Sequence, residues 1–220
     1  MRTPAPLRAI RTAGIQALSV VLAVLVVAGG SQAAPRTPVT AALTADGPAV
    51  VLPKIDCAAL AGQDLSGTPD APAVIASATE TTSPSGRPAC EVKGIAAPQI
   101  QFDVLLPTET WRQRYLQTGC GAFCGSVDFF ADAADGCVPL DRGDFAVATG
   151  NQGHVGAYGF DAAFGADPQL RVDFGHRADH VVAVVAKQLI ARYRGADQRF
   201  GLQVGGEGPR WEGREARAVP

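Results

Sequence analysis

No block of basic residues occurs in this chain, where 19 lysines and arginines stand against 21 acids for a formal net charge of −2. Nucleic acid is held by clustered positive charge, so that class of partner is disfavoured. No C-x-x-C pair occurs, and the cysteine spacing does not suggest a structural zinc site. Neither G-x-G-x-x-G opening a helix nor G-x-x-x-x-G-K-[ST] is present, which argues against a nucleotide site. No serine follows Ser126, and no internal repeat is visible. The one long apolar run, Ile15 to Gly29, is shorter than the ~20 residues that a membrane-spanning helix needs.

What is present begins with that run. Arg2, Arg8 and Arg11 precede it and Ser31-Gln32-Ala33 follow it. This is the basic, apolar and small-residue order of a secretory leader, so residues 1–33 are expected to be removed on export to the periplasm or the medium. No membrane association is then expected. Cleavage after Ala33 takes away three arginines and no acid, leaving a more acidic remainder. All five cysteines, Cys57, Cys90, Cys120, Cys124 and Cys137, lie beyond the leader. In an exported protein they are disulfide candidates; the odd number leaves one free, paired between chains or without its partner.

With 220 residues, 47% of them hydrophobic, the chain can bury a substantial core of one domain or one domain with a small extension. Residues 34–54 read as a loose Ala/Thr/Pro-rich lead-in and 55–204 as the ordered domain. Loops surround a short strand at Ala73 to Ala78. Gln99 to Leu106 alternates, with Ile100, Phe102, Val104 and Leu106 on one face, and reads as a half-buried strand and a candidate antiparallel edge. Tyr115 to Thr118 is a strand that runs into Gly119-Cys120-Gly121-Ala122-Phe123-Cys124-Gly125. Phe145 to Thr149 is a continuous apolar strand that ends in Gly150-Asn151-Gln152-Gly153-His154. Asp173 is placed to cap a helix whose stripe is Ala178, Val182, Val185, Leu189 and Tyr193, ended by Gly195. Arg199 to Val204 is a last short strand. Strands ending in loops and alternating with a helix predict an α/β fold, a mostly parallel sheet with flanking helices and a site beyond the strand C-termini.

The glycine turn suits an anion or an oxyanion, because closely spaced glycines let backbone N–H groups converge. A structural reading stands beside it, in which the glycines allow close packing or a Cys120–Cys124 link. His176 and His180 are one helical turn apart, yet no glutamate follows His176 as in H-E-x-x-H and no third metal ligand is evident. Asp173 and both histidines are therefore read as structural, and no metal is assigned. His154 occupies a loop suited to chemistry, with packing as the plainer reading. Past the last strand, where a nucleophile elbow would fall, stand Gly205-Gly206-Glu207-Gly208, with neither serine nor cysteine.

Three segments taken together resemble the tannase and feruloyl esterase family of secreted α/β-hydrolases: YLQTGCGAFCGS, DRGDFAVATGNQGH and DFGHRADHVVAVVAKQLIARYRG. The resemblance runs from about Cys57 to Phe200. It implies a serine carboxylic ester hydrolase acting on small-molecule phenolic acid esters, with Gly121 and Ala122 as the oxyanion candidates. It treats Asp173, Arg177 and His180 as parts of a structural helix motif. It also implies a G-C-S-x-G-G elbow where this chain has Gly205 to Gly208. The catalytic acid and histidine, and a lid that holds calcium in full-length relatives, lie further on in the family; no cofactor is expected in this chain. The chain thus reads as an incomplete hydrolase domain whose residues 205–220 diverge. The alternative is a non-catalytic secreted binding protein on a hydrolase scaffold. If the divergence is a shift of reading frame, translation of the local nucleotides in all three frames is expected to reveal G-C-S-x-G-G close to the Gly205 codon. A lack of it in both other frames would mean a genuinely divergent or truncated protein.

Overall fold

The computed structural model describes residues 47–68, 72–129, 136–157, 159–204 and 217–218. The expected leader and most of the divergent tail lie outside the described residues. The strands are β1 (Ala73–Thr82), β2 (Pro88–Ala96), β3 (Ile100–Pro107), β4 (Arg114–Thr118), β5 (Phe145–Gly150), β6 (Phe200–Val204) and the two-residue β7 (Arg217–Ala218). They form one sheet in the order β1-β2-β3-β5-β4-β6-β7.

This sheet is mixed rather than mostly parallel. Parallel pairing is confined to β4 with β5 and β4 with β6; the other four neighbouring pairs are antiparallel. Linker length is the reason. The turn Ser83–Arg87, closed by Ser83 N–H to Arg87 C=O at 2.8 Å, is too short for a crossover, and so is the link at Ala97-Pro98-Gln99. Links this short can only fold a strand back against its predecessor. β3 is accordingly an interior strand flanked by β2 and β5, not an edge. β2 was not apparent as a strand because Gly94 and the charged Glu91 and Lys93 interrupt its pattern. Gly94 is required there, since a Cβ would strike the Phe102 ring and the Val74 carbonyl.

The crossover from β5 to β6 carries the helices. After a single turn of helix, α1 (Val138–Asp141), that precedes β5, the chain forms α2 (Pro168–Val172), a π turn over Asp173–Arg177 and the long α3 (Ala178–Arg194), all in register as one rod. The N-cap is Asp167, whose carboxylate accepts from the N–H groups of Gln169 and Leu170 at 2.7 and 3.2 Å. Asp173 is thus not the cap. It is fully buried inside the rod, where Gln169 and Arg177 bind its carboxylate. The helix stops at Gly195 as its sequence predicts.

Ala178, Val182, Val185, Leu189 and Tyr193 are all buried, and Val181, Ala186 and Ile190 widen the stripe. They cover one sheet face made by Val92, Ile100, Phe102, Val104, Leu106, Tyr115, Ala146 and Ala148. Each fully buried aliphatic side chain in this layer contributes roughly 1.5–3 kcal/mol.

Two covalent or charged ties hold the periphery. Cys57 and Cys90 form a disulfide that fastens the 3-10 turn Cys57–Gly62 to β2 across a sequence separation of 33. On chain-entropy grounds such a loop contributes about 3–4 kcal/mol. At the end of α3, Arg194 is buried with its guanidinium over Trp111 at 4.9 Å and Tyr193 at 5.0 Å, and it donates to the carbonyls of Val51 and Pro107. No carboxylate pairs with it among the described residues, and burial pushes its pKa down to about 10. Within the expected lead-in, residues 48–54 are strapped down: Val51 N–H donates to Trp111 C=O, Lys54 N–H to Tyr193 C=O, and Arg112 to Pro48 C=O.

Replacing Arg194 with Met keeps the apolar stem but strands two buried carbonyls. It is expected to cost about 2–4 kcal/mol in a urea melt; a change below the error of the fit would show that water replaces the guanidinium freely. A second expectation concerns Asp103, buried on the opposite sheet face with Lys93 Nζ 3.6 Å from one oxygen and no partner on the other. Burial first, then the nearby Glu91, raises its pKa to about 7. Because the folded value lies above the unfolded carboxylate's, near ~4, the folded state holds the extra proton between them, so this group's contribution to stability falls as pH rises from about 4 to 7. Asp103→Asn should flatten that fall and be the more stable protein at pH 8, read by urea melts at both ends of the range. An unchanged slope would remove Asp103 as its source.

Candidate active site

β4, β5 and β6 run parallel, so their C-terminal ends lie at one end of the sheet. Backbone register sets Thr118 of β4 against Val204 of β6 and Gln117 against Ala148 of β5. The glycine turn therefore leaves β4 between the loop that follows β5 and the point where the chain leaves β6. Gly205 to Gly208 themselves lie outside the described residues.

The turn is closed covalently by a Cys120–Cys124 disulfide. Of the five cysteines, Cys57, Cys90, Cys120 and Cys124 are paired and Cys137 is free. Within the turn Cys124 N–H donates to Gly121 C=O at 3.1 Å. Outward bonds lace it to neighbouring loops: Gly125 N–H to Asn151 C=O at 3.3 Å, Gly156 N–H to Gly125 C=O at 3.1 Å and Gly159 N–H to Cys124 C=O at 3.2 Å. A Cβ on Gly125 would press on the Gly156 backbone at 3.0 Å, so this contact needs glycine. The N–H groups of Gly121 and Ala122 donate to nothing among the described residues. Gly121 is half-buried and Ala122 exposed. Two adjacent free donors on a covalently closed turn can bind an anionic oxygen.

The link and the donor arrangement coexist. The disulfide that the structural reading anticipated closes the same turn that carries the two N–H groups. Ala122 and Cys124 sit at φ 51° and 60°, and Gln152 of the neighbouring loop at 56°; with Gln113 they are the positive-φ residues other than glycine among the described residues. Such backbone costs on the order of 1–3 kcal/mol per residue and persists where surrounding contacts over-determine it.

Asn151 organises the second loop. Its fully buried side chain accepts from Gln101 N–H and Gly153 N–H and donates to Gln99 C=O, each at 3.0 Å. A Cβ on Gly153 would overlap Asp173, which brings this loop hard against the π turn. Gln152 and Gln117 both reach Asp179 at the start of α3, at 3.2 Å to its carboxylate and 2.9 Å to its carbonyl. Tyr115 completes the chain by donating to Gln117 Oε1 at 2.8 Å, and burial drives its phenol far above the ordinary range.

His154 is buried and stacked on Phe164 at 4.0 Å, with Phe174 edge-on at 5.9 Å. Neither ring nitrogen finds a well-formed hydrogen bond, although the Gln152 backbone lies close enough to oppose part of the shift. Burial dominates and lowers its pKa, so the ring is neutral at pH 7. The packing reading of His154 is the one this geometry supports. His176 and His180 are exposed on the helix. Arg177 joins the structural set, bonding Asp173 and the Ala97 carbonyl. Among the described residues no group of three or more His, Cys, Asp or Glu is arranged to hold a metal ion. None of the helices among those residues is long and apolar enough to cross a membrane.

Sequence reasoning did not find the aromatic cluster of Phe123, His154, Phe164 and Phe174. Its members come from the glycine turn, the loop after β5, the 3-10 turn Ala163–Ala166 and the π turn, and no spacing links them. The only local signal was Phe123 itself, an aromatic inside an otherwise small-residue turn.

The model of the family described as tannase and feruloyl esterase matches residues 84–215. An uncharacterised esterase of Xanthomonas campestris pv. campestris is 33% identical over 135 residues, which is 59% of this chain and 22% of that protein. The crystal structure of an esterase from Aspergillus oryzae superposes with a TM-score of 0.52 at 18% identity, over 67% of this chain and 32% of the other. Feruloyl esterase B from the same organism gives 0.48 at 23% identity, over 60% and 28%. The chain thus spans less than a third of the length of these relatives. The superposition shows that this α/β fold is shared with part of that esterase. The family match takes in the glycine turn, the Asn151 loop and the whole α2–α3 rod, and it covers more than half of the sequence: the chain belongs to the tannase and feruloyl esterase family.

Proposed function

We propose that this chain supplies the oxyanion-binding part of a carboxylic ester hydrolase that acts on phenolic acid esters. The observation that carries the reading is the pair of free donors, Gly121 N–H and Ala122 N–H, on a disulfide-closed turn at the C-terminal ends of the parallel strands. In ester hydrolysis the carbonyl oxygen gains charge as the nucleophile adds. A fixed N–H aimed at that oxygen binds the tetrahedral species better than the substrate, and so lowers the barrier. The lacing to Asn151, Gly156 and Gly159 keeps the donors in place without reorganisation during the reaction.

The other half of the chemistry has no residue to carry it in the sequence after β6. Gly205 to Gly208 offer no hydroxyl or thiol, Cys120 and Cys124 are tied to each other, and Ser126 hydrogen-bonds Asp128 at 2.7 Å on the surface. The nucleophile that this reading requires is therefore not among Gly205 to Gly208. The two disulfides and the basic, apolar and small-residue start of the sequence support export to an oxidising compartment.

The test is turnover of methyl gallate and methyl ferulate by this chain and by a version carrying the G-C-S-x-G-G elbow in frame with its downstream sequence. The expected outcome is no turnover by the first and hydrolysis by the second. Gly121→Pro, which deletes one donor, should lower kcat of the second by roughly 10²–10³ with little change in KM. Turnover of both esters by the chain alone, or an active second protein indifferent to Gly121→Pro, would overturn this assignment.

A further inference from the structure

Phe123 is 42% exposed, whereas Phe102, Trp111, Tyr115, Phe145 and Tyr193 are buried. It sits between Ala122, a free donor, and Cys124, a disulfide half. One side of its ring is backed: Phe164 meets it edge-on at 6.1 Å and 65°, and Phe174 at 6.4 Å and 62°. That pair is itself packed at 4.8 Å and is buttressed by the buried His154 ring. These contacts leave part of the residue uncovered. Phe123 N–H faces the Gly159 carbonyl at 3.5 Å, and the residue after Gly159 is Phe160, 88% exposed. A surface rich in aromatic side chains thus borders the two free N–H groups.

From this we infer that Phe123 is a specificity-determining residue, a platform on which the aromatic acyl ring of an ester stacks while its carbonyl oxygen points at the Gly121 and Ala122 donors. The inference rests on the oxyanion reading of the turn and adds to it a residue that selects the acid. Three features support it. The left-handed backbone at Ala122 and Cys124, with the disulfide, fixes where the ring is presented. The backing rings hold it without hiding it. The cluster carries no charged group, His154 included, so an uncharged aromatic ring can stack on it without desolvating a charge. Since no hydrogen-bonding side chain belongs to the cluster apart from the buried His154, the platform reads the ring and not its substituents.

The test needs no turnover. Methyl ferulate and methyl butanoate are titrated into the full chain and binding is followed by ligand-detected saturation-transfer NMR, with circular dichroism melts of every variant. Saturable binding of methyl ferulate, retained in Phe123→Tyr and weakened roughly fivefold in Phe123→Ala and Phe123→Leu, is the expected result, with methyl butanoate weak throughout. Equal binding of the two esters, no saturable binding by the folded chain, or methyl ferulate affinity within about twofold of the parent in both Phe123→Ala and Phe123→Leu would overturn it. Phe123→Leu keeps apolar packing on Phe164 and Phe174, so it carries the test if Phe123→Ala does not fold. If Phe123→Leu also fails to fold, Phe123 is a structural support and the platform is refuted. A chain that stacks the ring, in an elbow-bearing protein that never hydrolyses the ester, would sink the esterase reading and not this one.

Discussion

Burial of α3 against the sheet is the constraint on which the rest depends. Its stripe from Ala178 to Tyr193 is too apolar to face water, and only the face lined by Val92, Phe102, Val104, Leu106 and Ala148 covers it. Once the helix lies there, the chain returns through Gly195 to the far side of β4, where β6 pairs parallel. That return brings the ends of β5, β4 and β6 level, and levelness creates the place where loops meet. The β1-β2-β3 meander is different in kind. Short links make it antiparallel whatever the helix does, and Cys57–Cys90 holds it to the start of the ordered chain.

The loops at that end show backbone chemistry more than side-chain chemistry. Asn151 satisfies three backbone groups from inside one loop, and the N–H and C=O groups around Gly125 stitch that loop to the glycine turn. Among the described residues the N–H groups of Gly121 and Ala122 find no partner, while those of Cys124 and Gly125 do. His154 and Asp173 differ from this pattern, each with a buried polar atom lacking a partner. Both lie where the second loop meets the π turn. A π turn inside an α-helix often accompanies a functional site, and here it carries Phe174 into the cluster that backs Phe123.

Much was legible in the sequence. The strands of Ile100 to Leu106, Tyr115 to Thr118 and Phe145 to Thr149 are visible as apolar patterns, and so is the helical stripe, because burial imposes a period of two or of 3.6 on neighbouring residues. The glycine turn was visible for a related reason: tight backbone needs small residues at fixed local spacing. Strand direction was harder. The turn Ser83–Arg87 does force an antiparallel pair, but β2 itself carries Glu91, Lys93 and Gly94, so the hairpin had no second arm to recognise. The helix cap was misplaced by one element, since Asp173 and Asp167 are chemically equivalent and only packing tells which one is buried.

By itself the sequence determined the local matters: which segments extend, where α3 begins its stripe and where it stops, that the turn after β4 is glycine-rich, and that no serine or cysteine stands at Gly205 to Gly208. Local periodicity and covalent order are sufficient for these. Tertiary structure alone decided that Cys120 pairs with Cys124 and leaves Cys137 free, that Arg194 anchors Val51, and that Phe123, Phe164, Phe174 and His154 meet. The cysteine pairing is a choice among chemically equal partners, and the other contacts join residues far apart in the chain that only the packing of the elements brings within reach.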